Sequence, residues 1–363
     1  MKLLRDLDVS GKRVFVRADL DVPLEGLEQV HTRLESETAT RLTNLKGTVD
    51  YLLREGAKQV VIAGHIDRPD GPDPAKSTKQ LLPTLEKVLG GEIAFISDIY
   101  SSSDSREVPS KNEAGSPQGR TLLLLENLRF WPGETKNDLE FAKKLASFGD
   151  VYVNEAFGNC HREHASMVAV AELFRHTESP EQCRMAAGLH LEEEVKTLTK
   201  VLDMPARPFV AIIGGAKMET KIPVIQNLAK ISHHVLIGGE LPLEIERLNM
   251  KFGENVVVAE LNENKKDIDL ESVHLFIRHI EHARTVVWNG PMGLFEEGFE
   301  TGTRAIARAI VESRAESIAG GGETAQFLEK EGLLSSFSFV SAGGGAMLEF
   351  LAGKTLPGIA ALE

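Results

Sequence analysis

Cysteine, positive charge and long apolar runs are scarce in this chain of 363 residues, and each scarcity excludes a class of protein. Two cysteines, Cys160 and Cys183, cannot form a disulfide framework, which favours a reducing compartment. The 41 Lys and Arg residues face 54 Asp and Glu residues, a formal net charge of -13. General nucleic-acid or anionic-membrane binding, which needs a broad basic surface, is therefore not expected. No apolar run approaches the length of a membrane span.

Length and composition predict two domains. A chain of 363 residues exceeds what one core usually serves, and its hydrophobic content of 42% is ample for two cores. The N-terminal segment MKLLRDLDVSGKRV carries charges through its apolar stretch, unlike a secretory signal. We therefore expect a soluble cytoplasmic protein.

Apolar runs with the character of strands end differently in the two halves of the chain. Four runs of the first half end in Arg or His: Lys12–Asp19, Gln59–Arg68, Thr121–Phe130 and Asp150–Arg162. Five runs of the second half end in glycine clusters: Pro208–Lys217, His233–Glu240, Thr285–Gly293, Glu316–Thr324 and Phe337–Ala346. Ligands of open α/β sheets bind beyond the carboxyl ends of the strands. The pattern thus predicts an anion site in the first half and a nucleotide site in the second.

Segments with the apolar period of a helix separate these runs, and the alternation is typical of the α/β class. We predict two doubly wound parallel-sheet, Rossmann-like domains, comprising residues 1–182 and 183–349. The segment MAAGLHLEEEVKTLTKVLDM, followed by Pro205, predicts one long interdomain helix at a hinge. The polar stretch Ser101–Gly119 predicts a surface loop.

Taken together, the strand ends resemble the phosphoglycerate kinase family along nearly the whole chain. The resemblance rests on eight segments in the family's order: KRVFVRADLDVP, GHIDRPDG, LLLLENLRF, VYVNEAFGNCHREHAS, IIGGAKMETKI, VVWNGPMGLFE, GGGET and AGGGAMLEFL. It implies reversible phosphoryl transfer from 1,3-bisphosphoglycerate to ADP, giving 3-phosphoglycerate and ATP, with Mg²⁺ as cofactor. It also implies a glycolytic monomer with in-line transfer after domain closure, and a tail of about residues 350–363 that packs on the N-terminal domain.

The resemblance implies a 3-phosphoglycerate site on the N-terminal domain. Its substrate-binding residues would be Asp19, Asp21, Arg41, His65, Arg68, Arg129 and Arg162. The two aspartates would hold the glycerate hydroxyl and carboxylate, and the histidine and the last three arginines would bind the non-transferred phosphate. Arginine presents a planar fork of donors that matches phosphate oxygens. Arg41 would also reach the transferring group, as a catalytic residue together with Lys217.

The resemblance implies a Mg-nucleotide site on the C-terminal domain. Its nucleotide-binding residues would be Gly214, Gly215, Lys217, Lys221, Gly238, Gly239, Asn289, Pro291, Glu296, Gly320, Gly321, Gly322, Glu323 and Thr324. Backbone contacts to the transition state would come from Gly322, Gly344 and Gly345, and Glu323 would serve the metal. Simpler interpretations are that the glycines form tight turns and that Glu323 complements a helix dipole.

Four residues depart from the family pattern. Asp21 replaces an Asn, and Glu240 replaces a glycine. Thr220 stands where the family usually has Asp, and Glu323 replaces an Asp. The segment from Gly239 to Asp267 is also several dozen residues shorter than usual, which leaves the nucleotide preference open. One alternative is an impaired relative that binds 3-phosphoglycerate but uses nucleotide poorly. Another, a nicotinamide-dependent dehydrogenase, lacks a GxGxxG after its first strand.

Two further motifs are interpreted as structural. The triplet that begins at Gly353 resembles a Walker A ending, but Leu348 stands where the first glycine belongs. Gly353 is therefore expected to cap a helix. Cys160, His161 and His164 lie close together without a second ligand pair of the usual spacing, so a zinc site is not expected.

Overall fold

The computed structural model describes residues 1–24, 27, 37–100, 121–175 and 184–363. The predicted surface loop Ser101–Gly119 and the predicted domain boundary at residues 182 and 183 lie outside this part of the chain. The chain forms two compact units, each built around its own parallel sheet, which confirms the predicted α/β class. Unit 1 comprises the described residues of Met1–Leu34, Thr38–Glu194 and Leu356–Glu363, and unit 2 comprises Glu37 and Val195–Thr355.

The sheet of unit 1 has six parallel strands in the order β3-β4-β2-β1-β5-β6. The strands are β1 (Arg13–Arg17), β2 (Gln59–Ala63), β3 (Ile93–Ile96), β4 (Thr121–Leu125), β5 (Val151–Asn154) and β6 (Met185–Ala187). Every residue of β2 and β5 is buried, as expected for strands that are covered on both faces. Val14 of β1 pairs with Val60 on one side and Val151 on the other. The strand order therefore reverses at β1.

The sheet of unit 2 also has six parallel strands, in the order β12-β11-β10-β7-β8-β9. The strands are β7 (Phe209–Ile213), β8 (His234–Ile237), β9 (Val256–Val258), β10 (Thr285–Asn289), β11 (Glu316–Gly320) and β12 (Phe339–Ser341). Thr285 of β10 pairs with Phe209 of β7, and Val210 of β7 pairs with His234 of β8. The central strands β7 and β10 are buried along their whole length.

Helices lie between most successive strands of the described chain in both units. They are α1 (Glu37–Arg54), α2 (Leu82–Leu89), α3 (Pro132–Thr135), α4 (Leu139–Ala146), α5 (Ala169–Arg175), α6 (Leu189–Asp203), α7 (Met218–Ile231), α8 (Leu241–Arg247), α9 (Leu270–Ile280), α10 (Thr301–Ser313), α11 (Gly322–Lys330), α12 (Gly344–Leu351) and α13 (Pro357–Ala360). Aspartates start two of them: the Asp138 carboxylate accepts the Phe141 N–H at 2.8 Å, and the Asp269 carboxylate accepts the Ser272 N–H at 2.8 Å. Among the described residues, no helix combines the length and apolarity required to cross a bilayer.

The structure adds three strands to the predicted runs and corrects the start of the long helix. Strands β3, β6 and β9 did not appear among the predicted runs. The predicted interdomain helix begins at Leu189, because Met185–Ala187 pairs with β5 as β6 instead of forming the first helical turn. The compact units divide inside α6, between Glu194 and Val195, whereas the sequence assigned the whole helix to the second domain.

The C-terminal residues Leu356–Glu363 belong to unit 1. The Gly358 N–H donates to the Cys160 carbonyl at 2.9 Å, next to the carboxyl end of β5. Residues 350–355, which the predicted tail included, belong to unit 2 and contain the end of α12. Gly353 follows that helix with a left-handed φ of +79°, the conformation expected of a glycine that closes a helix.

Candidate active site

Basic side chains of unit 1 gather beyond the carboxyl ends of its strands, around the point where the strand order reverses. Arg17 is the last residue of β1, and His65 follows β2 by two positions. Arg129 follows β4 in a 3₁₀ turn, where its N–H donates to the Asn127 side chain at 3.1 Å. Arg162 follows β5. All four side chains thus come from separate strands to the same edge of the sheet.

A polar chain links the buried residues Arg17 and His65 to the partly exposed Asp21. Arg17 Nη2 lies 3.0 Å from His65 Nδ1, and His65 Nε2 lies 3.5 Å from Asp21 Oδ2. Burial, followed by the charges of Arg17 and Arg129, lowers the pKa of His65 to about 4, although Asp21 acts in the opposite direction. Burial alone would raise the pKa of Asp21, but contacts with His65 and the Asp67 N–H outweigh it and hold that pKa well below its usual range. Asp21 is therefore ionised and His65 neutral at pH 7.

Arg129 and Arg162 keep buried donors that the protein does not use. Burial and the neighbouring charge of Arg162 lower the pKa of Arg129 to about 10, and burial and the charge of Arg68 lower the pKa of Arg162. Within the residues that the structure describes, Arg129 Nε, Arg129 Nη2 and Arg162 Nε are buried and have no hydrogen-bond partner. Unsatisfied buried donors are rare in folded proteins. A cluster of them on mutually repelling arginines suits an anion.

Arg41 lies against the two aspartates that follow β1. Arg41 Nη1 donates to the Asp21 carbonyl at 3.0 Å and lies 3.6 Å from Asp19 Oδ2. The Asn159 side chain reaches the other Asp19 oxygen at 3.5 Å. Arg68, by contrast, is an exposed residue of the loop after β2. The structure therefore brings together the predicted substrate residues of unit 1, with Arg68 at the solvent side.

Glu134, His164 and Ser166, to which the sequence assigned no role in the anion site, support this cluster together with Arg17 at the end of β1. Glu134 accepts hydrogen bonds from Ser166 Oγ at 2.6 Å and from the Ser166 N–H at 3.0 Å, and Ser166 Oγ in turn accepts from Arg17 Nε at 2.8 Å. His164 Nδ1 lies 3.7 Å from the Glu134 carboxylate, and burial with the charges of Arg17 and Arg129 lowers the pKa of His164 to about 3. The signals available in the sequence were the position of Arg17 at a strand end and the short spacing of His164 and Ser166 from Arg162.

Glycine turns of unit 2 bring backbone segments into close contact beyond β7, β10 and β11. Gly215, Gly290 and Gly321 have left-handed φ values of +77°, +92° and +98°. A Cβ on Gly344, the first residue of α12, would lie 2.8 Å from the Gly321 Cα. A side chain at Gly344 would therefore collide with the Gly321 turn. The first N–H groups of a helix have no partner inside the helix, so the starts of α11 and α12 suit an approaching anion.

Lys221 and Glu323 lie beside the Gly214–Gly215 turn. The Lys221 Nζ donates to the Gly214 carbonyl, and a Cβ on Gly215 would lie 2.6 Å from that Nζ and 3.4 Å from Glu323 Oε2. Burial lowers the pKa of Lys221 to about 8, against the opposing charge of Glu323 and with a smaller contribution from Lys217. Lys217 is exposed at the start of α7. The turn thus places two ammonium groups and one carboxylate near each other.

The other predicted nucleotide residues fall into two groups. Those at strand ends and helix starts of unit 2 lie around the glycine turns: Gly238, Gly239, Asn289, Pro291, Gly320, Gly322, Thr324 and Gly345. Thr324 Oγ1 accepts the Gly290 N–H at 2.8 Å, and the Pro291 carbonyl accepts the Gly215 N–H at 2.8 Å. Glu296 is different, because it lies in a separate, exposed 3₁₀ turn, Phe295–Glu297.

Residues that depart from the family pattern have local structural roles. The Glu240 N–H donates to the Gly215 carbonyl at 3.1 Å, at the start of α8. Thr220 Oγ1 donates to the Lys217 carbonyl at 3.0 Å in the first turn of α7. The segment between Gly239 and Asp267 contains α8 and the edge strand β9, and the Asp267 carboxylate accepts the Gly302 N–H at 2.9 Å.

Comparison with known families gives one match over nearly the whole chain. The family described as phosphoglycerate kinase matches residues 4–257 and 243–354. The two matched ranges overlap at residues 243–257, so the match breaks inside the segment that is shorter than usual. Aligned lengths of 404 to 412 positions against relatives exceed the 363 residues of this chain, in agreement with a shortened segment.

Individual relatives agree with the family match. Phosphoglycerate kinase of Solibacter usitatus is 38% identical, with 99% of this chain and 98% of the relative covered. Cytosolic phosphoglycerate kinase 3 of Arabidopsis thaliana is 36% identical over 99% of this chain and 97% of the relative. The solved phosphoglycerate kinase structure from Coxiella burnetii aligns with a TM-score of 0.78 and 30% identity, covering 100% of this chain and 99% of that one. The chain therefore belongs to the phosphoglycerate kinase family.

Proposed function

We propose that this protein catalyses reversible phosphoryl transfer between 1,3-bisphosphoglycerate and ADP, giving 3-phosphoglycerate and ATP. The observation that carries the proposal is the pairing of two different anion sites in one chain. Unit 1 supplies arginines with unused buried donors, and unit 2 supplies glycine turns, helix N-termini and two lysines. One site suits a compact phosphorylated acid, and the other suits a polyphosphate chain.

Unit 1 would hold 3-phosphoglycerate by charge and geometry. Arg129 and Arg162 have buried N–H groups free for the non-transferred phosphate, and Arg68 adds charge from the exposed side. Phosphate oxygens accept paired hydrogen bonds from a guanidinium plane, which supports a specific role for arginine here. Arg41, beside Asp19 and the Asp21 backbone, would reach the carboxyl group that accepts the phosphoryl group.

Unit 2 would hold the Mg-nucleotide. The N–H groups of Gly322 and Gly344 begin α11 and α12, and Lys221 lies at the neighbouring turn. The Glu323 carboxylate is exposed beside that turn and suits a hard cation that is shared with phosphate oxygens and water. Mg²⁺ bound with the nucleotide would neutralise phosphate charge. The fit of this carboxylate supports the cofactor assignment.

The proposed reaction requires positioning and positive charge more than a general base. Arg41 and Lys217 are the proposed catalytic residues, and backbone N–H groups of Gly322, Gly344 and Gly345 are proposed contacts to the transferring group. Removal of one preorganised donor of this kind commonly lowers turnover by ~10²- to 10³-fold. That is the loss we expect for Arg41→Ala and for Lys217→Ala. Domain closure before transfer stays a prediction from the sequence.

Steady-state kinetics with both substrates varied would test the assignment of the two sites. Arg162→Lys keeps the charge but loses the planar fork, so we expect a higher KM for 3-phosphoglycerate with little change in the KM for ATP. Lys217→Ala should lower kcat. Lys143→Ala is a matched control, because Lys143 is an exposed lysine of α4 that pairs with the nearby Glu140. Equal effects of the control and the site variants would contradict the assignment.

The impaired relative that the sequence left open is not favoured, because unit 2 keeps the glycine turns, both lysines and a family match that extends to residue 354. The name of the Arabidopsis relative includes the word cytosolic, which supports a cytoplasmic location. We propose a monomer without nucleic-acid or membrane partners, in keeping with the net charge of -13.

A further inference from the structure

The two oxygens of the Asp21 carboxylate face two different protein donors. Asp21 Oδ1 accepts the Asp67 N–H at 2.7 Å, and Asp21 Oδ2 lies 3.5 Å from His65 Nε2. We propose that Asp21 is a positioning residue of the anion site, which fixes the ring of His65 and the loop that carries Arg68. This inference rests on the proposed function, because it concerns the same 3-phosphoglycerate site.

Hydrogen-bond chemistry assigns the proton positions of His65. The Arg17 guanidinium is always a donor, so His65 Nδ1, at 3.0 Å from Arg17 Nη2, must be an acceptor. The remaining proton of the neutral ring is then on Nε2, which faces Asp21. His65 is 1% exposed, and a pKa lowered to about 4 by burial and by Arg17 and Arg129 agrees with a neutral ring. Both ring nitrogens therefore face protein groups, although among the described residues His65 Nε2, 3.5 Å from Asp21 Oδ2, makes no hydrogen bond and stays available to a phosphate oxygen.

Asp21 also determines the path of the loop that follows β2. Asp67 has a left-handed φ of +54°, an uncommon conformation for a residue other than glycine. Three contacts hold it there: its N–H donates to Asp21, its carbonyl accepts from Arg129 Nη1 at 2.5 Å, and its carboxylate lies 2.7 Å from Lys76 Nζ. The next residue along the chain is Arg68. Loss of the Asp21 contact would release the loop from the aspartate and shift Arg68 relative to the other arginines.

Replacement of Asp21 by asparagine separates this role from simple electrostatics. A carboxylate can accept from both the Asp67 N–H and the His65 Nε2–H, whereas a carboxamide has one oxygen and must point its NH₂ group at one of these donors. Charge alone predicts the opposite outcome, because removal of a negative group should strengthen the binding of an anion. The direction of the change in affinity therefore distinguishes the two effects.

Calorimetric titration of the full chain with 3-phosphoglycerate and, separately, with Mg-ATP would measure that direction. We expect Asp21→Asn to raise the Kd for 3-phosphoglycerate by about tenfold, as for a donor left unsatisfied, with the Kd for Mg-ATP unchanged. Asp70→Asn is the matched control, because Asp70 is an exposed carboxylate of the same loop and loses the same charge. The control should leave 3-phosphoglycerate binding unchanged or slightly tighter. Tighter binding by Asp21→Asn would overturn the proposal.

Nuclear magnetic resonance of chain labelled with ¹⁵N-histidine tests the same inference without a ligand. The signals of His65 can be identified by their absence in His65→Gln, which retains an acceptor for Arg17 and a donor for Asp21. At pH 7 we expect a ring protonated on Nε2 alone in the native chain, and a changed Nε2 signal in Asp21→Asn. Protonation on Nδ1 would contradict the proposal. If the native chain fails to bind 3-phosphoglycerate, the proposed function fails while this measurement still decides the role of Asp21.

Discussion

Replacement of Thr48 by valine should destabilise unit 1 strongly, although the two side chains have nearly the same shape. The Thr48 hydroxyl is fully buried between α1 and the start of α6. It donates to Glu155 Oε1 at 2.6 Å and accepts the Leu189 N–H at 2.9 Å. Glu155 also accepts the N–H groups of His190 at 3.2 Å and Leu191 at 3.3 Å. Thr48 and Glu155 together thus cap the first turn of α6, whose N–H groups have no partner inside the helix.

The expected cost follows from the two bonds that valine cannot make. A hydrogen bond to a charged group contributes about 1.5–3 kcal/mol, and an orphaned buried N–H costs about 1–3 kcal/mol. Because the extra methyl group recovers some apolar burial, we expect a net loss of about 2–4 kcal/mol in the free energy of unfolding of unit 1. For a domain of this size, each kcal/mol lowers Tm by about 2–4 °C.

Thermal unfolding would measure this loss. The measurement is made at pH 8 because burial raises the pKa of Glu155 to about 7, and the carboxylate must be ionised. Thr135→Val is the control, because Thr135 is exposed and its hydroxyl makes a long, 3.4 Å contact with the Pro132 carbonyl. We expect that variant to change stability by less than about 0.5 kcal/mol. Hydrogen exchange at the Leu189 amide should accelerate in Thr48→Val alone. Equal stability of the two variants, with Leu189 still protected, would refute the role of Thr48.

Three further predictions follow from the same structure. The pKa of His164 is lowered to about 3 in the folded chain, so the stability that this residue contributes above pH 6.5 is lost as the pH falls towards 3. In denaturant titrations, His164→Gln should therefore lose less unfolding free energy than the native chain between pH 7 and pH 5. The pKa of Lys221, about 8, predicts that kcat/KM for ATP declines above pH 8, and Lys221→Arg should remove that decline; an unchanged pH profile would exclude Lys221 as its source. Gly47 is an exposed residue in the middle of α1, where an added Cβ meets nothing within 4 Å, so Gly47→Ala should stabilise the chain by about 0.5–1 kcal/mol. Gly344→Ala should instead lower both Tm and turnover, because its Cβ would lie 2.8 Å from the Gly321 Cα.

The sequence predicted the interior strands and the side chains at their ends. Buried parallel strands form unbroken apolar runs, so the runs that contain β1, β2, β7 and β10 were visible, and the polar residues after them marked the sites. The three strands that escaped prediction, β3, β6 and β9, are all edge strands of three or four residues. Short edge strands lack a long apolar run, and the three residues of β6, Met185–Ala187, also suit a helix.

The contacts that position the site could not be predicted from local pattern. Arg17 of β1 meets Ser166, and Thr48 of α1 meets Glu155 after β5, only because residues more than 100 positions apart become neighbours when β1 pairs with β5. The sequence treated Asp21 as a departure from the family pattern. In the structure its carboxylate has two protein partners, which no single motif reveals.

Direct detection of the acyl phosphate would test the central claim. The native chain, with ATP, Mg²⁺ and ¹³C-labelled 3-phosphoglycerate, would be incubated with hydroxylamine, which traps an acyl phosphate as a stable hydroxamate. We predict Mg-dependent formation of the hydroxamate with one ADP produced per trapped molecule, and a loss of ~10²- to 10³-fold in Arg41→Ala and in Lys217→Ala. Absence of the hydroxamate with the native chain, despite binding of both substrates, would contradict the assignment of this protein as an active kinase.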